Sequence, residues 1–312
     1  MKVLITGASG FIGAQVLDYF LENTDWTFTC LSSWRHKGNA LRLAPFLKDN
    51  ADRITVITHD LAGPIPDIGD FDYILNLASE SHVDRSIADP VAFIENNVSS
   101  TLHMLEYARK HEPKVFLQFS TDEVYGAMAH EEWDVLIPSN PYSASKAAQE
   151  MIAIAYWKTY QVPVVITNSN NIVGKGQDSE KFVPKLVDLI SKGKTVTVHT
   201  SNGKPGKRYY NPVENTADAL LYILKRKPAM YSAAKNNRPD RYNMSGGTEL
   251  DNLEMAQLIA KIIGKPLKYE LVDAESIRPG YDQFYAKTDG SLSESGWVPP
   301  LTLEEGLRWL KA

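Results

Sequence analysis

Short runs of apolar and β-branched residues alternate, along the first half of the chain, with stretches in which apolar positions recur every three to four residues. "KVLITG", "TFTCLSS", "ITVITHDL", "YILNLAS" and "KVFLQFS" read as strands, whereas "FIGAQVLDYFLEN", "SSTLHMLEYARKH" and a long segment from Ser139 read as helices. Strands separated by helices argue for βαβ units, hence an α/β fold with a Rossmann-type, doubly wound parallel sheet. After "VPVVITNSNNIVG" the alternation fades, and "EKFVPKLVDLISKGK" and "LEMAQLIAKIIGK" read as helices of a smaller C-terminal region. The expected division is a first domain over 1–173, to which 212–246 returns, and a second region from 174–211 and 247–312. That region should lie over the carboxyl edge of the sheet, where such folds bind ligands.

At 312 residues the chain suits one large domain or two smaller ones, at about 150 residues each. Its 43% hydrophobic and 23% charged residues are those of ordinary water-soluble proteins. A net charge of −5 without a long basic tract argues against a nucleic-acid partner and leaves single phosphates as the anions to consider. The lone Cys30 excludes an internal disulfide framework, and Gly and Ser break the apolar start before it could form a signal or span. A cytoplasmic protein with neither membrane nor metal is the expectation.

"VLITGASGFIG" places Gly7, Gly10 and Gly13 in a G-x-x-G-x-x-G spacing between a strand and a helix. Small residues let the backbone approach a pyrophosphate, and a helix N-terminus offers free N–H groups with partial positive charge. A dinucleotide is therefore expected against Gly7, Gly10, Phe11, Ile12 and Gly13, with Leu61 and Ala78 as further contacts and Asp60 of "HDL" offered to the adenine amino group. About 20 residues past such a turn an acid usually grips the ribose of NAD. Here Ser32 and Ser33 stand in that place, followed by Arg35. Hydroxyls and a guanidinium would hold a 2′-phosphate that an acid would repel, so NADP is favoured, with NAD the alternative.

"SNPYSASKAAQE" carries Tyr142 and Lys146 at i, i+4 on one helix face, with Ser139 or Asn140 as cap and Pro141 at the first position. A Lys beside a Tyr favours the phenolate, a base for a substrate hydroxyl. With the glycine turn, this Y-x-x-x-K identifies a resemblance to the extended short-chain dehydrogenase/reductases. "QFSTDEVYG", with Thr121, Asp122 and Glu123, resembles the dTDP-glucose 4,6-dehydratases in particular, as do "LASESHVDRSIADP", "PYSASKAA", "TNSNNIVG", "EKFVP" and "RPGYDQFYA".

The resemblance implies a homodimer built on a four-helix interface and a nucleotide-sugar substrate, dTDP-glucose first, whose C4 is oxidised before water is lost across C5 and C6. It implies Asp122 as acid, Glu123 as base, and Thr121 beside Tyr142 at the C4 oxygen, which requires the two carboxyl groups to differ in pKa. It also implies Ser81 and His82 on the sugar wall, Asn171 and Arg208 near the diphosphate, Asn243, Arg278 and Tyr285 around the nucleotide, and Lys181 as a further substrate contact. Tyr281 stands where these enzymes usually carry His, and Thr197 and His199 where they carry Pro and Tyr, so the nucleobase is less defined than the dehydration. An epimerase or decarboxylase of the same superfamily and a non-catalytic NADP sensor are the alternatives; Asp122 argues against the former, and the Tyr142–Lys146 pair against the latter.

Overall fold

The computed structural model describes residues 1–35, 37–127, 131–226, 237–273 and 290–311. The first half runs β1 (Lys2–Thr6), α1 (Phe11–Asn23), β2 (Thr27–Ser32), α2 (Ala40–Asp49), β3 (Ile54–Thr58), β4 (Tyr73–Asn76), α3 (Val83–Ala88), α4 (Pro90–His111) and β5 (Val115–Thr121). A single 3₁₀ turn, Asp122–Tyr125, leads from β5 towards α5 (Pro141–Tyr160), then β6 (Val164–Ser169) and β7 (Asn171–Val173). The remainder comprises α6 (Phe182–Ser191), β8 (Thr195–Ser201), β9 (Lys204–Pro205), β10 (Lys207–Pro212), α7 (Val213–Lys225), β11 (Asp240–Met244), β12 (Thr248–Asp251), α8 (Asn252–Ile263), β13 (Lys268–Asp273), α9 (Gly290–Glu294) and α10 (Leu303–Gly306).

Among the described residues the main sheet has the order β11-β6-β5-β4-β1-β2-β3, and every pairing in it is parallel. Its central strands are buried on both faces, as a sheet covered by helices on each side requires; β5 and β6 begin as apolar runs and turn polar towards their carboxyl ends, where Ser120, Thr121, Asn168 and Ser169 approach the crevice. One face packs Val16, Leu17 and Phe20 of α1 with Leu220 and Leu224 of α7. The other packs Met104 and Leu105 of α4 with Ala153 and Trp157 of α5. Two small three-stranded sheets, β12-β10-β7 and β13-β8-β9, belong to the later part of the chain, and a third core joins α6, α8 and α10 over β8 and β10.

Strand order reverses between β1 and β4, so the chain opens a crevice beyond the carboxyl ends of those strands. No helix among the described residues is long and apolar enough to cross a membrane.

Candidate active site

A continuous cleft of about 530 Å³ runs along the carboxyl edge of the sheet, from the glycine turn to β5, α5 and the start of α6. Gly7 adopts φ +73°, and a Cβ there would lie 2.9 Å from Ala78 Cα; at Gly13 it would meet the Gly7 carbonyl at 2.2 Å. Both positions therefore need glycine, and the backbone they leave bare faces the cleft with the uncapped N-terminus of α1. Ser32 Oγ is buried there without a hydrogen-bond partner. An open backbone cradle and an unsatisfied hydroxyl fit a dinucleotide. Arg35 forms an ion pair with Asp60, and both side chains are exposed at the cleft's end.

The 3₁₀ turn after β5 sets Thr121, Asp122 and Glu123 beside the head of α5. Thr121 hydrogen-bonds the Glu123 N–H at 3.3 Å and Asp122 Oδ1 at 3.2 Å, and its hydroxyl also bonds the Tyr142 phenol. Asp122 Oδ2 accepts from Asn170 Nδ2 at 2.7 Å. Burial, and next the charge of Asp122, push Glu123 up to about 7, while Lys181, Arg208 and a hydrogen bond from Asn140 pull it back. Asn140 is also the N-cap of α5: its side chain accepts from Ser143 N–H in a capping box, and Pro141 follows at the first turn. A carboxylate poised near neutrality suits a general base, and its neighbour is held by a different set of donors.

Tyr142 and Lys146 lie on one face of α5, buried in the cleft wall. The expected phenolate–ammonium pair is not formed. Lys146 Nζ donates instead to the Phe119 carbonyl at 2.6 Å, and burial lowers its pKa to about 7. Burial also raises the Tyr142 phenol, followed by the Glu123 charge, with Thr121 opposing. Desolvation disfavours the charged form of each group and so favours the protonated phenol.

The family model described as GDP-mannose 4,6 dehydratase matches residues 4–310. The chain belongs to this family. The low-salt glycan biosynthesis protein Agl12 of Haloferax volcanii is 33% identical over 314 residues, covering 98% of this chain and 96% of its own. The dTDP-glucose 4,6-dehydratase of Salmonella typhimurium is likewise 33% identical, covering 99% of this chain and 91% of its own. Among solved structures, DesIV of Streptomyces venezuelae, a dTDP-glucose 4,6-dehydratase with NAD and TYD bound, superposes with a TM-score of 0.87 at 29% identity, covering 100% of this chain and 96% of that one.

In this 4,6-dehydratase family member, Gly10, Phe11, Ile12, Ser33, Leu61, Ser81, His82, Asn171, Lys181 and Arg208 all line the same cleft. His82 caps α3 by accepting from Arg85 N–H and lies 3.6 Å from Glu180, with its pKa lowered chiefly by burial and then by Lys181. Lys181 donates to the Ser81 carbonyl, and burial lowers its pKa too. Two expected site residues stand elsewhere. Asp122 is buried behind Thr121 and Glu123 and does not line the cleft. Asn243, on the edge strand β11 opposite Asn168, is buried in the sheet, because the order of strands carries β11 past β6 and away from the crevice.

Thr197 and His199 are also outside the cleft: they lie on β8 against β13, where Thr197 bonds Glu270 at 2.9 Å. Arg278, Tyr281 and Tyr285 fall outside the described residues. The sequence did not disclose the bond from Asn140 to Glu123, the bond from Asn170 to Asp122, or the part played by the stretch 174–180 that leads to Lys181. Asn140 was visible as a cap, but its second bond, to Glu123, depends on the tertiary fold. The 174–181 segment is tied across the cleft by Arg42 to the Gly176 carbonyl at 3.1 Å, Lys37 to Asp178 at 3.1 Å and Arg85 to Glu180 at 2.6 Å.

Proposed function

We propose that this protein is a nucleotide-sugar 4,6-dehydratase, taking dTDP-glucose first among NDP-hexoses to the NDP-4-keto-6-deoxyhexose. The observation that carries the reading is the Thr121–Asp122–Glu123 turn set beside Tyr142, with Glu123 tuned towards neutrality. Tyr142 takes the proton of the C4 hydroxyl while Thr121 hydrogen-bonds the same oxygen. The resulting ketone acidifies the C5 hydrogen, which Glu123 removes; the proton for the departing C6 hydroxyl is assigned to Asp122, which does not itself line the cleft and meets it through its hydrogen bond with Thr121. A nicotinamide dinucleotide held in the glycine cradle would supply the redox chemistry, hydride uptake from C4 and its return to C6, and its oxidised, positively charged ring would favour the Tyr142 phenolate at the start of the cycle. Glu123 then returns its proton to C5, and the proton held by Tyr142 balances the one Asp122 gave up. The net change is the loss of one water.

Ser81, His82, Asn171, Lys181 and Arg208 form the proposed sugar and diphosphate wall. The proposed cofactor is NADP: Ser32 and Ser33 replace a repelling acid, and Arg35 can exchange Asp60 for a 2′-phosphate. The segments 1–173 and 212–246 form the proposed dinucleotide domain, the rest the substrate region. A homodimer through α4 and α5 and a cytoplasmic location complete the reading; the first is supported by the exposed apolar positions of those helices, the second by a single buried thiol, Cys30.

Mass spectrometry of the purified protein with dTDP-, UDP-, GDP- and CDP-hexoses, alone and with NADP or NAD, tests both the activity and the cofactor. Loss of water from one sugar, faster with NADP, is expected. If no sugar loses water, the dehydratase reading is wrong; tighter binding of NAD than of NADP removes the phosphate assignment alone.

A further inference from the structure

Glu150 lies one helical turn beyond Lys146 on α5 and is fully buried. It forms an ion pair with Arg241 of β11, itself buried. The guanidinium is held further through Nη1, which donates to the Glu132 carbonyl at 2.8 Å and to Tyr125 Oη at 3.3 Å, and it lies 4.5 Å from the centre of the Trp133 ring. Such a pair contributes little net stability once desolvation is counted, which directs attention to what its charge and geometry do nearby.

The other carboxylate oxygen supplies the answer. Glu150 Oε1 accepts from Asn168 Nδ2 at 2.7 Å, and the same amide donates to the Thr121 carbonyl at 3.1 Å. Arg241, Glu150, Asn168 and the end of β5 thus form one continuous chain of hydrogen bonds behind the active site.

We propose that Glu150 is a positioning residue of the catalytic centre: anchored by Arg241, it holds through Asn168 the Thr121 carbonyl where the Asp122–Glu123 turn begins, and it supplies the buried negative charge that faces Lys146. The elements packed on α5 bring other charged and titratable groups: Asp84 and Arg85 on α3, Glu95, His103, Glu106, Arg109, Lys110 and His111 on α4, and Asp122 and Glu123 in the turn. Of all of them Glu150 alone acts on the Lys146 amine, raising its pKa against the burial that lowers it. The catalytic half of the role rests on the dehydratase reading, whereas the charge on Lys146 stands independently of it.

The experiment uses the full chain as purified, wild type beside E150Q, E150D and E150Q/R241M. The pH dependence of Lys146 acetylation by acetic anhydride is read by peptide mass spectrometry, and the pH profile of water loss is recorded in parallel. Removing an opposite charge should lower the labelling midpoint by about one unit in E150Q, and the alkaline fall of activity should move down with it. E150D should recover part of the shift. The double variant, which no longer strands a buried guanidinium, carries the test if E150Q does not fold, and its midpoint should also fall. A labelling midpoint unchanged in a folded variant overturns the inference, whatever the activity. A shifted midpoint in a protein that dehydrates no sugar upholds the charge on Lys146 and sinks the dehydratase reading.

Discussion

Glu123 shows how one side chain is given its chemistry by its surroundings. An ordinary glutamate is ionised well below neutrality, but burial beside Asp122 brings this one to about 7. A base must be deprotonated, so kcat for dehydration should rise with pH through about 7 and fall away on the acid side; a rate that is flat between pH 5 and 8 contradicts that role. Asp122→Asn should keep C4 oxidation, visible as nicotinamide reduction, while slowing water loss about 10²- to 10⁴-fold, the worth of general acid catalysis. Both acids were legible from "STDEVYG", because their spacing is local and survives any packing. Their holders were not. Asn170 on Asp122 and Glu150 on Arg241 join residues 48 and 91 positions apart, and nothing in either segment marks its partner.

Helix α5 carries the next level of organisation, since its first turn is shared between folding and catalysis. Asn140 caps the helix and bonds Glu123, so Asn140→Ala has two separable consequences. Loss of the cap should destabilise the protein by about 0.5–2 kcal/mol in urea titration. Loss of the donor to the Glu123 carboxylate should move the acid limb of activity to higher pH, because the charged form has lost a partner; a limb left in place would assign Asn140 to the cap alone. The main-sheet elements were readable because buried parallel strands show as short apolar, β-branched runs, whereas amphipathic helices repeat their apolar positions every three to four residues. The small sheets were not: β7 and β9 span three and two residues, too few to show any period, and β13 is mostly exposed. That uncertainty passed to the substrate side, where Thr197 and His199 were expected at the nucleotide and instead lie in the β8–β13 pairing.

At the scale of the whole molecule, α4 packs along α5 yet leaves Val91, Ile94 and Leu102 on the former and Met151 on the latter exposed. Scattered apolar residues are normal, but these share two adjacent helices, which is the arrangement a four-helix dimer needs. Met151→Glu should convert the protein to a monomer in sedimentation equilibrium, with its far-UV spectrum unchanged; a wild-type monomer at micromolar concentration would already refute the interface. The polar ties from Lys37, Arg42 and Arg85 to the 174–181 segment act at this scale as well. They join Lys37, Arg42 and Arg85, which line the cleft together with the glycine turn, to the later chain, so a dinucleotide bound there should leave faster when they open. For a reaction whose electrons are borrowed and returned within each turnover, that makes the cofactor a permanent tenant whose lease is set by ionic strength. Its dissociation rate should climb with added salt as the charge pairs are screened, whereas a salt-independent rate would mean that the fastening plays no part in retention.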